Sequence, residues 1–226
     1  MLIQFFSAIT PMLLGTQFIL LLVLIKGEIC PGQRGRIHQV MPLVGAAWLV
    51  AGAYSPVLVV NSILTFYFVS KANMSKTKNK GPLWALKLSV GLATVFVLLQ
   101  AADQVTFTAS IAVVLFALLL GSAGAHLLLT MARTRLQAFH RILPFLGVAV
   151  AIVLTALNFI HSARLLEVDE EQLVINTMVG LVLMTIGVLV WCGHIVFSKP
   201  AQVWQLFLCV VLLFSSMTLS WKFSVI

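Results

Sequence analysis

The stretch GAYSPVLVVNS, residues 52–62, lies inside a long apolar run, between IHQVMPLVGAAWLVA at 37–51 and ILTFYFVSK at 63–71. Either the chain passes through Ser55-Pro56 as one kinked helix, or it turns there and goes back. The choice inverts the side of every later segment. One helix over 37–73 would be about 55 Å long, far beyond a hydrocarbon core of about 30 Å. Split at Ser55-Pro56, the run gives two helices of about 18 residues, each about 27 Å. Serine before proline also suits the N-cap and first helical position, because proline has no amide hydrogen to leave unpaired there. Length favours the turn.

Charge supplies an independent test. Basic residues occur at Lys26, Arg34 and Arg36; at Lys71, Lys76, Lys78, Lys80 and Lys87; at Arg133, Arg135 and Arg141; and at Lys199. The connection AADQ at 101–104 has none, and SARLLEVDEEQ at 162–172 sets Arg164 against four acids. With a turn at Ser55-Pro56 every basic connection falls on one side of a membrane, as the positive-inside rule requires; with one helix the first group lands opposite the rest.

The chain of 226 residues is 61% hydrophobic and 9% charged, with a mean hydropathy of +1.10. Its apolar runs reach the length of a bilayer crossing and do not alternate as barrel strands do. The fold class expected is all-α: a polytopic transmembrane bundle of eight helices, both termini periplasmic, in a bacterial inner (cytoplasmic) membrane. The helices fall at about 2–25, 37–54, 56–73, 83–102, 106–132, 142–163, 173–198 and 203–224, in a single integral membrane domain. The first is expected to be a retained helix, since no basic segment precedes it and no small-residue cleavage site follows. The net charge of +8 reports topology and contact with anionic lipid, not nucleic acid. Cys30, Cys192 and Cys209 lack metal-ligand spacing, and no metal site is expected.

Ionisable and polar groups at helix ends suggest chemistry. On this topology the outer ends collect Tyr54, Gln100, Asp103, Asn158, His161 and Arg164. The last three repeat every third residue and share a helix face. Such a set suits quinol oxidation, with His161 and Asp103 as proton acceptors and Tyr54, Gln100, Asn158 and Arg164 around the quinol. At the inner ends His126 and His194 come about 9 Å and 6 Å before the close of their spans, at matching depth. Small residues surround them (Gly121, Ser122, Ala123, Gly124, Ala125; Gly193). Two such histidines could ligate a b-type haem, although a packing role for them is favoured over haem. His38 and His140, beside Arg36 and Arg141, are expected to be solvated at the interface. The acidic EVDEEQ at 167–172 is a solvated loop or a docking patch for a basic surface.

LLVLIKGEICPGQRGRI at 21–37, SPVLVVNSIL at 55–64 and ARTRLQAFHRILPFLGVAVAIVLTALNFIHSARL at 132–165 together resemble the membrane-anchor subunit family of dimethyl sulfoxide reductase. Gly52 stands where that family carries the histidine implicated in quinol oxidation, and the chain is shorter than the family norm. The resemblance implies a part in anaerobic respiration. The chain would tether an iron–sulfur subunit and a molybdopterin catalytic subunit and oxidise menaquinol, without haem of its own. Two other readings stand beside it: a two-histidine b-type cytochrome, and a small transporter or assembly protein that has kept the anchor fold.

Overall fold

A computed structural model describes residues 2–27, 29–74, 81–104, 106–134, 136–166 and 171–220, with the side chains of 2–4, 73–74, 137, 161–166, 171 and 173 outside that description. These residues form eight α-helices and no strand: α1 (Leu2–Lys26), α2 (Pro31–Ala51), α3 (Val59–Met74), α4 (Leu83–Ala102), α5 (Phe107–Met131), α6 (Gln137–Leu166), α7 (Glu171–Val196) and α8 (Val203–Ser220).

The chain doubles back at Ser55-Pro56. α2 closes with Gly52, and Ser55 adopts an extended backbone (φ −145°, ψ 121°) before a single 3-10 turn, Pro56–Leu58, leads into α3. The hydroxyl of Ser55 does not cap that turn. The Ser55 carbonyl instead accepts from the Leu58 amide at 2.9 Å. Beyond the turn Ser62 Oγ donates to the Gly45 carbonyl at 2.8 Å, so the two helices lie side by side in opposite directions. At the opposite end of α2 Arg36 reaches across to donate to the Arg133 carbonyl at 2.9 Å. The start of α2 and the end of α5, each carrying arginine, therefore share one end of the bundle.

Two boundaries move. α2 starts at Pro31, not near 37, because Pro31 takes the first helical position and the polar stretch 33–39 is helical. α6 starts at Gln137, not near 142, which carries His140 and Arg141 into a helix. Six helices, α1 and α4 to α8, are long and apolar enough to cross a membrane. α2 and α3 fall short of that: α2 opens with two arginines and a histidine, and α3 is 16 residues long, about 24 Å.

α1 is the axis. In its apolar window 72% of residues are buried, against 28% in α7. It packs against α5, α2 and α4, and more lightly against α8, while α5 also meets α4, α6 and α8. The α1–α5 contact is backbone on backbone. A Cβ added at Gly121 would stand 2.6 Å from the Gly15 carbonyl carbon and 2.9 Å from the Thr16 nitrogen, and only glycine permits that approach. The small residues of α5 thus admit a neighbouring helix.

Candidate site at the basic end of the bundle

Where α5 ends, α6 begins and α7 ends, three imidazoles and one indole form a buried array. Trp191 of α7 and His126 of α5 are fully buried. Trp191 Nε1 donates to His126 Nδ1 at 2.8 Å. His126 Nε2 lies 2.9 Å from His140 Nδ1, and His140 Nε2 lies 3.3 Å from the Thr134 carbonyl. His194 packs edge-on against His126, ring centroids 5.3 Å apart at 66°, and its Nδ1 is 2.6 Å from the carbonyl of Trp191. Gly147 of α6 leaves the room that the indole fills: a Cβ there would meet the six-membered ring of Trp191, 2.8 Å from Cη2.

His140 and His194 line a cavity of about 700 Å³, together with Thr130, Arg133, Thr134, Arg141, Ser198 and Lys199. Among the described residues the wall holds three permanent cations and no carboxylate. Thr130 Oγ1 and His194 Nε2 are buried without a hydrogen-bond partner.

Both helix ends that frame the cavity close in the same strained way. After α5, Arg133 takes φ 50°; after α7, Ser198 takes φ 51°. In each case the next amide reaches back five residues, Thr134 to the Leu129 carbonyl at 3.2 Å and Lys199 to the His194 carbonyl at 2.9 Å. The left-handed residue's own amide reaches back three, to Thr130 at 2.9 Å and Ile195 at 3.1 Å. This is the Schellman closure, whose left-handed position glycine normally fills. An arginine and a serine hold it here, each beside the cavity.

His126 and His194 do meet at matching depth, but they do not fit a haem between them. Both nitrogens of His126 are engaged by protein, and the two rings touch edge to face, leaving no slot for a macrocycle. His38 and His140, expected in solvent, are corrected. His38 is 6% exposed and lies edge-on to Phe68 at 5.1 Å, while His140 is half-buried in the array. Among the described residues no group of three or more His, Cys, Asp or Glu could hold a metal ion.

Of the outer set, the side chains of Tyr54, Gln100, Asp103 and Asn158 are described, and they have separate surroundings. Gln100 is buried between α4 and α1, where Nε2 donates to the Ser7 carbonyl at 3.1 Å and Oε1 accepts from Thr10 Oγ1 at 3.0 Å. Tyr54 lies edge-on to Phe96 at 6.2 Å, and Asp103 is exposed at the C-cap of α4. Asn158 sits half-buried on α6, which packs on α5 and α7 while α4 packs on α1, α3 and α5. The side chains of His161 and Arg164, and residues 167–170 of the acidic loop, lie outside the described residues. A cavity of about 320 Å³ at that end is lined by Ala101, Ala102, Ser110, Ile111, Val114 and Leu115, none of them in the set expected to bind quinol.

A second polar cluster joins four helices and was missed from the sequence. Gln17 of α1, fully buried, accepts from Trp48 Nε1 of α2 and donates to Ser89 Oγ of α4 at 3.1 Å and Thr65 Oγ1 of α3 at 3.4 Å. Ser89 donates on to Asn61 Oδ1 at 3.1 Å. Glutamine and asparagine inside apolar runs were the available signal, since an amide in lipid needs partners. Its groups satisfy one another, which makes it glue for the α1–α4 half.

A family model described as an integral membrane domain matches residues 2–221. The chain is also similar to an uncharacterized protein of Haemophilus influenzae, 31% identical over 179 residues, covering 73% of this chain and 64% of that protein. It therefore spans less than two thirds of that relative's length. No solved structure matches the chain. The family match overturns the resemblance to the dimethyl sulfoxide reductase anchor: nearly the whole chain falls within a different family. The iron–sulfur and molybdopterin partners and the respiratory role rested on that resemblance and lose their support with it.

Proposed function

The chain belongs to this integral-membrane-domain family, and on that premise we propose that the multi-pass protein binds a small oxyanion in the cavity at its basic end. The observation that carries this reading is the chemistry of the wall: Arg133, Arg141 and Lys199 with no carboxylate among the described residues, and two buried polar atoms, on Thr130 and His194, that lack partners there. Buried polar groups cost free energy until paired, so a ligand or its water shell is favoured there. The cavity volume lies in the range of small-molecule sites. On the positive-inside reading it opens to the cytoplasm of a bacterial inner membrane.

The test is anion binding by protein reconstituted in nanodiscs of zwitterionic lipid. Sulfate and glycerol 3-phosphate are expected to raise the unfolding midpoint in a saturable way, and Arg141→Gln and Lys199→Gln to weaken both ligands. Stabilisation no greater than that from chloride at equal ionic strength would remove the proposal. The array behind the cavity argues against proton conduction. Its hydrogen bonds run from Thr134 through His140 and His126 and stop at an indole, which can donate but not accept.

A further inference from the structure

His194, Lys199 and Pro200 line not only the cationic cavity but also a second one, of about 540 Å³, between the end of α7 and the start of α8. The two spaces adjoin along those three residues, and the chemistry changes across the seam. Leu189, Val190, Gly193 and Phe197 make the second space an apolar groove, with Gln202 and Gln205 on its α8 side. Gln205 is tied to α7, its Nε2 donating to the Val190 carbonyl at 2.6 Å. From Leu189 to Phe197 the groove follows α7 for about 12 Å, against about 15 Å for half of a hydrocarbon core. Lys199 and Pro200 stand between Phe197 and Trp204, both exposed, and exposed aromatics mark the headgroup level of a bilayer. The cations thus lie at the depth of lipid phosphates, and the groove runs from them into one leaflet.

A buried acceptor sits on the seam. His194 is 8% exposed, and its Nδ1 is 2.6 Å from the Trp191 carbonyl. That carbonyl can only accept, so Nδ1 carries the ring proton and Nε2 of the neutral imidazole is an acceptor. Nε2 is buried without a partner among the described residues. It lacks a donor, which the oxygens of a phosphate ester cannot supply. A hydroxyl group can.

We infer that the site takes a single-chain phosphate monoester lipid of the 1-acylglycerol 3-phosphate class. Its phosphate lies among Arg133, Arg141, Lys199 and the Thr130 hydroxyl, its free glycerol hydroxyl donates to His194 Nε2, and its acyl chain occupies the α7–α8 groove. The inference rests on the oxyanion reading and names that ligand's class. A monoester phosphate brings three terminal oxygens and close to two negative charges, which suits three cations and a hydroxyl donor; a diester brings fewer of both. Lipid tails are as apolar as leucine, so the chain gains little contact by leaving the bilayer. Selectivity comes from the phosphate and the hydroxyl, and the groove holds the headgroup at its cavity.

Native mass spectrometry of the full chain released from phosphatidylcholine nanodiscs counts the lipid it retains. At equal mole fractions, one 1-oleoylglycerol 3-phosphate per protein is expected. Its retention should exceed that of dioleoyl phosphatidate, and of the analogue without the 2-hydroxyl, by about tenfold, the worth of one hydrogen bond to a buried acceptor. His194→Ala should erase that preference, and Arg141→Gln should lower the retention of all three. Gly193→Leu fills the groove and should release the lipid while glycerol 3-phosphate still binds by calorimetry, which also reports that the variant is folded. Leu189→Trp, at an exposed position, should do the same without disturbing the packing. Equal retention of the diacyl lipid or of the analogue without the hydroxyl overturns the inference, as does retention unchanged in both groove variants. Retention no greater than that of 1-oleoylglycerol 3-phosphocholine means annular lipid only and overturns it too; if glycerol 3-phosphate binds in that case, the oxyanion site stands and its ligand is a free ester. Binding of neither glycerol 3-phosphate nor the lipid removes the site itself.

Discussion

Replacing Gly147 by alanine tests the array through a single methyl group. The new Cβ would overlap Cζ3 of Trp191 and stand 2.8 Å from Cη2 and 3.0 Å from Cε3. The ring must therefore retreat by about 1.5 Å to reach ordinary carbon–carbon contact. It has nowhere to swing, because Trp191 is fully buried, so the whole indole tilts and its Nε1 leaves His126 Nδ1. A 2.8 Å bond lengthened by about 1 Å is no longer a hydrogen bond. Overpacking costs about 1–3 kcal/mol, and a lost interhelical hydrogen bond within a membrane about 0.6–2 kcal/mol. The expected loss is about 2–4 kcal/mol, read by reversible unfolding in mixed micelles of rising dodecyl sulfate fraction. Gly91→Ala is the control. Its Cβ meets nothing within 4 Å, and in the middle of α4 it should gain about 0.5–1 kcal/mol from helix propensity. Gly147→Ala as stable as the parent, to within about 0.5 kcal/mol, would refute the packing argument and the hydrogen-bond array with it.

The left-handed closures predict a split between stability and binding. Ser198→Gly and Arg133→Gly should each stabilise the fold by about 1 kcal/mol by relieving a non-glycine φ near 50°, but only Arg133→Gly should weaken anion binding, by calorimetry on the same samples. Gln17→Leu strands Trp48 Nε1 and should cost about 1–3 kcal/mol in micelle unfolding; a neutral result would mean that the α1–α4 cluster is not glue. On a cysteine-free background, Ala53→Cys and Ser198→Cys should react with an impermeant maleimide from opposite sides of the membrane, Ala53→Cys from the periplasm. Labelling of both from one side would undo the helix directions.

The turn at Ser55-Pro56 was legible because two independent constraints, bilayer thickness and the side of the lysines and arginines, gave one answer. The helix-rich bundle followed from the same apolar lengths. What length could not tell is that α2 and α3 are less apolar than the rest, since Arg34 and Arg36 belong to a helix and not to the loop before it. The pairing of His126 with His194 was visible as a match of depth. His140 was not, because it depends on where α6 begins: a start one turn earlier moves it from the interface to the flank of α5. Trp191 escaped for a related reason. Its partner space is a glycine on another helix, and no local pattern links position 147 to position 191. For the outer polar residues periodicity assigns a face but not a neighbour: Gln100 turns to α1, and α5 stands between α4 and α6.

Gly15 and Gly121 have a consequence for biogenesis. The bundle's axis leaves the ribosome before the groove that seats it, which belongs to α5. Thr16 and Gly121, joined at 3.4 Å across that seam, are 105 residues apart. At roughly 5–20 residues per second the nascent chain spends about 5–20 s with α1 in the bilayer before its seat exists. During that interval the α2–α3 hairpin and α4 are the surfaces available to shield Gln17 from lipid. The polar cluster among those four helices would then be a chaperone within the chain, holding the axis upright until α5 arrives to lock it.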